Sequence, residues 1–171
     1  MNAQEPEPTP FEPIIPLGNP NVGLPEPYAV SDIAFSVGLS EWQLAGWSGR
    51  GIKIGVLDRG FGQFTQFIED FDIAVHIAPG SDLSDYSETA IRHGNQVLET
   101  LYAIAPQAEY YTCAYDNLAE FNRCITWMIR SDIDIINHSV GVPALPLDGT
   151  NPWALEVDRA AREDILVVVE R

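Results

Sequence analysis

Apolar runs of strand length alternate along this chain with segments whose apolar residues recur at helical spacing. The strand-length runs cover positions 52–57, 73–77, 108–114, 133–137 and 165–169. The helical segments cover positions 94–104, 118–129 and 152–161. Continuous apolar strands separated by helices are typical of a parallel sheet that is covered on both faces. The pattern therefore predicts an α/β fold of three layers, αβα, with a mainly parallel sheet.

The first 45 residues do not follow this pattern. Eight of the chain's 13 prolines lie between positions 6 and 27, and proline removes backbone donors and favours extended conformations. We therefore expect a proline-rich arm and a short lead-in helix over residues 1–45, and a folded domain over residues 46–171.

Charge narrows the range of partners. The chain has 171 residues and a formal net charge of -16, which repels phosphate backbones and predicts no nucleic-acid partner. The charge is spread along the chain, which favours a solvated surface over a cationic partner or a halophilic adaptation. No apolar run approaches the roughly 18 residues of a membrane-spanning helix, so no membrane partner is expected. The first residues do not resemble a signal peptide, which leaves both an intracellular location and a secreted one with a separate leader.

The cysteines and acidic residues give no sign of a cofactor. Cys113 and Cys124 are too few for a disulfide scaffold, and neither lies beside a histidine at metal-ligand spacing. We expect both to be buried thiols. No segment has the acidic pattern of a calcium-binding loop, so the residues predict no metal site.

Three polar positions fall where a parallel sheet places functional groups. Asp58 and the segment Ser139-Val140-Gly141 each follow a predicted strand, and His93 opens a predicted helix. Sites in such folds form at the carboxyl ends of the strands, so these positions are expected to share one edge of the sheet. A carboxylate can orient an imidazole, and histidine is the usual general base near neutral pH. Position alone favours a turn aspartate and a capping histidine over catalytic roles.

The other two histidines are weaker candidates. His76 lies in a short apolar run, and His138 directly precedes Ser139. Adjacent strand residues point to opposite faces, so His138 and Ser139 are not expected to pair. We expect His138 to be packed in the protein interior.

Four segments, in order, resemble the motifs of the subtilisin-like serine proteases, the subtilases. Positions 49–61 (GRGIKIGVLDRGF) resemble the family's aspartate motif, and positions 92–97 (RHGNQV) resemble its histidine motif. The segment Ile-Ala-Pro-Gln-Ala-Glu at positions 104–109 is similar to the family's Ala-Pro-x-Ala segment. Positions 132–141 (DIDIINHSVG) resemble the strand and Ser-x-Gly loop beside its substrate cleft. The resemblance covers about residues 46–169.

This resemblance implies a subtilisin-like sheet and peptide-bond hydrolysis by an Asp-His-Ser triad. Asp58 would orient the imidazole, and His93 would act as general base and then as general acid. The backbone of Ser139, Val140 and Gly141 would pair with an extended peptide or protein substrate. A structural calcium ion is compatible with the family, although no site for it can be assigned.

The chain also departs from the family. Arg59, Asn95 and Gln96 replace the residues usual in the motifs, and Glu170 follows the last strand where an Ala-Gly-Asn segment is expected. The nucleophile segment Gly-Thr-Ser-x-x-x-Pro does not occur. We therefore expect the N-terminal part of a protease domain whose sheet is incomplete at the C-terminus and which is inactive alone.

Such a part would expose apolar surface, and it would associate with the missing C-terminal part of the domain or with itself. One alternative is a pseudoprotease or peptide-binding module without catalysis. A further alternative is an unrelated three-layer α/β domain whose motifs match by chance.

Overall fold

The computed structural model describes residues 37–71, 73–81, 92–141, 146 and 148–170. The proline-rich positions of the predicted arm lie outside these residues. The strands are β1 (Lys53–Asp58), β2 (Val75–Ile77), β3 (Glu109–Ala114), β4 (Ile135–His138) and β5 (Leu166–Val169). The helices are α1 (Leu39–Leu44), α2 (Phe64–Phe71), α3 (His93–Ile104), α4 (Leu118–Arg130) and α5 (Pro152–Ala161).

The strands form one sheet in the order β2-β3-β1-β4-β5, and every neighbouring pair is parallel. Strand β1 is central: its Asp58 lies opposite Ala114 of β3, and its Val56 lies opposite Asn137 of β4. Because all five strands run in the same direction, their carboxyl ends meet at one edge of the sheet. The predicted parallel α/β fold is confirmed.

Helices cover both faces of this sheet. Successive residues of a strand point to opposite faces, and in β1 the side chain of Leu57 joins an apolar cluster with α4 and α5, whereas Val56 joins one with α2 and α3. Helix α4 approaches β1 closely at Gly55, where an added Cβ atom would lie 2.9 Å from the Met128 sulfur. The result is the predicted three-layer αβα arrangement.

The short lead-in helix expected before residue 46 is α1. The side-chain amide of Gln43 donates hydrogen bonds to the carbonyl oxygens of Ala103, at 2.9 Å, and Ile104, at 3.3 Å. These bonds attach α1 to the last turn of α3. Trp42 and Trp47 stay largely exposed. No helix in the described part of the chain combines the length and the apolar composition needed to cross a membrane.

The prediction of two buried thiols is wrong, since Cys113 and Cys124 form a disulfide. Cys113 lies on the face of β3 that meets α4, and Cys124 lies on the buried face of α4, with 5.7 Å between their Cα atoms. That separation suits a disulfide. The two residues are buried as expected, but the packing of α4 on β3 brings their sulfur atoms together.

The last strand forms where it was expected, but within the described part of the chain it is not covered on both faces, contrary to what the pattern of apolar strands and helices predicted. Leu166, Val168 and Val169 are exposed by 59%, 47% and 46%. Strand β5 lies at the edge of the sheet, and Val167 is the member of the strand that packs on the α4 and α5 cluster. Among the described residues, one face of β5 therefore has no covering helix.

Candidate active site

Asp58 ends the central strand, and its carboxylate is held at both oxygens. The residue is 1% exposed. Its Oδ1 atom accepts a hydrogen bond from the backbone N–H of Gly60 at 3.0 Å, and its Oδ2 atom lies 2.7 Å from Nδ1 of His93. A buried carboxylate requires such partners, because burial without them would favour its neutral form.

His93 is the first residue of α3, and its side chain is 45% exposed. A carboxylate group accepts hydrogen bonds, so in the pair with Asp58 the Nδ1 atom of His93 carries the proton that joins the two groups. In the neutral imidazole, Nε2 then has the free lone pair. This geometry leaves His93 able to accept a proton at Nε2 while Asp58 holds the ring in place.

Backbone contacts fix helix α3 against the loop that follows β1. The N–H of Gly94 donates to the carbonyl oxygen of Gly60 at 2.7 Å. A Cβ atom on Gly94 would lie 2.8 Å from that oxygen and 2.7 Å from the ring of Phe61. Real Cβ atoms do not approach other atoms so closely, so this close approach of helix and loop requires glycine at position 94.

The segment Ser139-Val140-Gly141 follows β4 at the same edge of the sheet. Ser139 and Val140 are partly exposed, and Gly141 is exposed. The hydroxyl of Ser139 donates to Oδ1 of Asn137 at 2.9 Å. Because β1 and β4 are parallel neighbours, the segment and Asp58 lie at carboxyl ends of adjacent strands. The structure places Asp58, His93 and this segment at one edge, and their roles in catalysis and substrate binding stay predictions.

Tyr115 belongs to the same edge and was missed in the sequence. It directly follows β3, its N–H donates to the carbonyl oxygen of Asp58 at 3.2 Å, and its hydroxyl lies 2.6 Å from Nε2 of His138. Burial raises the pKa of the Tyr115 hydroxyl, and the charge of Asp58 raises it further. The sequence did place Tyr115 directly after a predicted strand, where functional residues occur in this kind of fold. An aromatic residue at that position is equally typical of the hydrophobic core, so it did not stand out.

His138 lies in the interior, as expected, and it does not pair with Ser139. Burial lowers the pKa of its imidazole to about 4, because an apolar environment disfavours the charged form. The ring packs against Phe121 and Tyr115, with ring centroids 5.1 Å and 5.6 Å away. The neutral imidazole of His138 and the Tyr115 hydroxyl therefore share this hydrogen bond, and the imidazole tautomer sets which of them donates.

The described residues contain no group of three or more His, Cys, Asp or Glu side chains arranged to hold a metal ion. These residues therefore provide no site for the structural calcium ion that the family resemblance allowed.

The fold and the edge site define a class of protein: a parallel α/β domain that carries a carboxylate–imidazole pair at the carboxyl ends of its strands. No protein-family model and no curated protein matches this sequence. Among solved structures, the chain is similar to the prenylagaramide maturation protease PagA, with a TM-score of 0.57 and 19% sequence identity. The similarity covers 77% of this chain and 50% of that one, so the chain spans half the length of PagA. At this identity, the similarity shows that the chain has the fold of a protease.

Proposed function

We propose that this chain supplies the acid–base pair of a subtilisin-like serine peptidase. The observation that carries the proposal is the 2.7 Å hydrogen bond between the buried Asp58 carboxylate and Nδ1 of the partly exposed His93. A pair of this kind activates a hydroxyl nucleophile. The protease fold shared with PagA supports peptide-bond hydrolysis as the reaction.

In the proposed reaction, Nε2 of His93 takes the proton of a serine hydroxyl as its oxygen attacks the peptide carbonyl carbon. Asp58 stabilises the imidazolium that results, and it keeps Nδ1 directed away from the nucleophile. His93 then gives the same proton to the leaving amine when the peptide C–N bond breaks. A water molecule that is deprotonated in the same way hydrolyses the acyl-enzyme and restores the serine.

The sequence has no Gly-Thr-Ser-x-x-x-Pro segment, so we propose that the serine and the oxyanion donor come from polypeptide outside this chain. The exposed side chains of Leu166 and Val168 on β5 support this part of the proposal. A parallel sheet normally has helices on both faces, and a further part of the domain would cover the open face of β5.

A second candidate function is peptide binding without catalysis. It is favoured by the partly exposed segment Ser139-Val140-Gly141, which continues beyond the end of β4. An extended peptide can pair with such a backbone whether or not a nucleophile is present. In this case the protein would bind peptides and leave them intact.

Labelling with a serine-directed fluorophosphonate separates the two functions. The test first reads the gene past position 171, where the proposal requires Gly-Asn and Gly-Thr-Ser segments, and then uses the protein that includes them. That protein should be labelled, His93→Ala should abolish labelling, and the 171-residue chain alone should stay unlabelled. His76→Ala is the matched control, because His76 is an exposed histidine on β2. Labelling that survives His93→Ala would refute the role of His93, and a complete protein that binds peptides without being labelled would establish the second function.

A further inference from the structure

The loop after β1 determines where the Asp58 carboxylate points. Gly60 donates its N–H to Oδ1 of Asp58, and the carbonyl oxygen of Gly60 in turn accepts from the N–H of Gly94 on α3. Any displacement of this loop relative to α3 therefore moves the carboxylate relative to the imidazole of His93. The loop and the helix need a fixed distance for the pair to stay joined.

Asn95 supplies a side-chain bond between the same two elements. Its Nδ2 atom donates to the carbonyl oxygen of Gly62 at 2.8 Å, and the residue is 4% exposed. The Gly94 bond uses the backbone and would form with any residue that fits. The Asn95 bond depends on the side chain, so substitution can remove it without removing the backbone bond.

Only one end of the buried Asn95 amide has a hydrogen-bond partner among the described residues. Within the described part of the chain, Oδ1 of Asn95 is buried and has no hydrogen-bond partner. A buried acceptor without a partner is destabilising; an apolar residue of similar shape would avoid that cost but would take the Nδ2 donor away from the Gly62 carbonyl oxygen. The hydrogen bond from Nδ2 to the Gly62 carbonyl oxygen is therefore the one polar contact of the Asn95 side chain among the described residues, and it holds the loop after β1.

We infer that Asn95 is a positioning residue for the Asp58–His93 pair: its amide holds the loop at Gly62, which keeps the Asp58 carboxylate on Nδ1 of His93. The catalytic meaning of this inference rests on the proposed function, whereas the geometry that it predicts exists in this chain without a nucleophile. Small misplacements of catalytic groups reduce rates strongly, so such a residue would affect turnover without touching substrate.

The test uses the full 171-residue chain and two readouts of the pair. The first is the NMR signal of the His93 Nδ1 proton, assigned by its loss in His93→Gln. The second is the rate at which diethyl pyrocarbonate modifies His93, divided by the rate at the exposed His76 of the same molecule, measured by mass spectrometry. The ratio cancels differences in reagent concentration between samples, and all samples are measured at the same pH.

We expect Asn95→Leu, which approximates the shape but has no amide, to broaden or abolish the Nδ1 signal. We expect it to lower the His93 to His76 ratio by at least about threefold, because the bond to Asp58 holds the proton on Nδ1 and leaves the reactive lone pair on the exposed Nε2. Asn95→Thr retains a hydroxyl donor and should keep both readouts. Thr112→Val is the matched control, because Thr112 Oγ1 is also buried without a partner among the described residues, on β3.

A cooperatively folding Asn95→Leu variant that keeps the Nδ1 signal and the ratio would overturn the inference, as would an equal effect of Thr112→Val. If Asn95→Leu does not fold, Asn95→Ala is measured in the same way and carries the same two outcomes. Failure of the proposed function has a different signature: the complete protein would resist fluorophosphonate while both readouts still respond to Asn95→Leu.

Discussion

Acid should destabilise this protein through one buried imidazole, that of His138. The residue is 6% exposed, and burial lowers its pKa from 6.5 to about 4. The unfolded chain therefore binds a proton at His138 as the pH falls below 6.5, whereas the folded chain stays neutral there until about pH 4. A group of this kind contributes its full stability above pH 6.5 and loses it as the pH falls toward 4.

The magnitude follows from the same two values. Each tenfold difference in proton affinity corresponds to about 1.4 kcal/mol, so the change between pH 7 and pH 4 is about 3 kcal/mol in the free energy of unfolding. The carboxylates also titrate in this range, so the contribution of His138 must be isolated by a variant. His138→Gln keeps an acceptor near the Tyr115 hydroxyl and removes the titration.

Urea unfolding followed by far-UV circular dichroism, at pH 7 and pH 4, measures this contribution. The free energy of unfolding of the unmodified chain should fall by about 3 kcal/mol more than that of His138→Gln. His76→Gln removes an exposed imidazole and should follow the unmodified chain. Equal losses in the unmodified chain and in His138→Gln would refute the reasoning, because they would show that His138 does not resist protonation in the folded state.

Three further predictions concern packing and surface. Gly94→Ala should lower the free energy of unfolding by about 1–3 kcal/mol in thermal unfolding, since its Cβ atom would lie 2.7 Å from a buried ring. A Cβ atom at Gly141 would meet no atom of the described residues within 4 Å, so Gly141→Ala should be neutral in the same measurement. Reduction of the β3–α4 disulfide, which closes a loop between residues 11 apart, should cost about 2–3 kcal/mol in urea unfolding. Leu166→Lys on β5 should reduce self-association in analytical ultracentrifugation, whereas Leu155→Lys, an exposed position on α5, should not.

Each of these has a contrary outcome. A Gly94→Ala variant as stable as Gly141→Ala would mean that α3 can move away from the β1 loop without loss. Unchanged urea midpoints after complete reduction would mean that packing alone holds β3 and α4 together. A monomeric unmodified chain at high concentration would show that the open face of β5 does not promote association.

Local patterns predicted the elements of the sheet well. The apolar run before Asp58 and the helical spacing after His93 both depend on residues close together in the chain, and β1 and α3 formed there. Strand β5 also formed where expected, but its burial did not follow, because burial depends on what lies against the strand. The apolar composition of residues 165–169 was enough to predict a strand. The exposure of that strand depends on its position at the edge of the sheet.

Contacts between distant positions were beyond the reach of the sequence. Cys113 and Cys124 are 11 residues apart, and only the packing of α4 on β3 brings them together. Tyr115 and His138 are 23 residues apart and meet because β3 and β4 lie on either side of β1. Neither pair has a periodicity or spacing that predicts its contact.

The sequence by itself determined the order of the strands and of every helix except α2, which it did not predict. It also determined that Asp58 ends a strand and His93 begins a helix. These features are encoded in runs of a few residues, where apolar spacing and glycine suffice. Only the tertiary structure decided that the two side chains meet at 2.7 Å. That distance depends on the sheet order that makes β1 central and on the close approach of α3 at Gly94, both of which arise from packing across the whole domain.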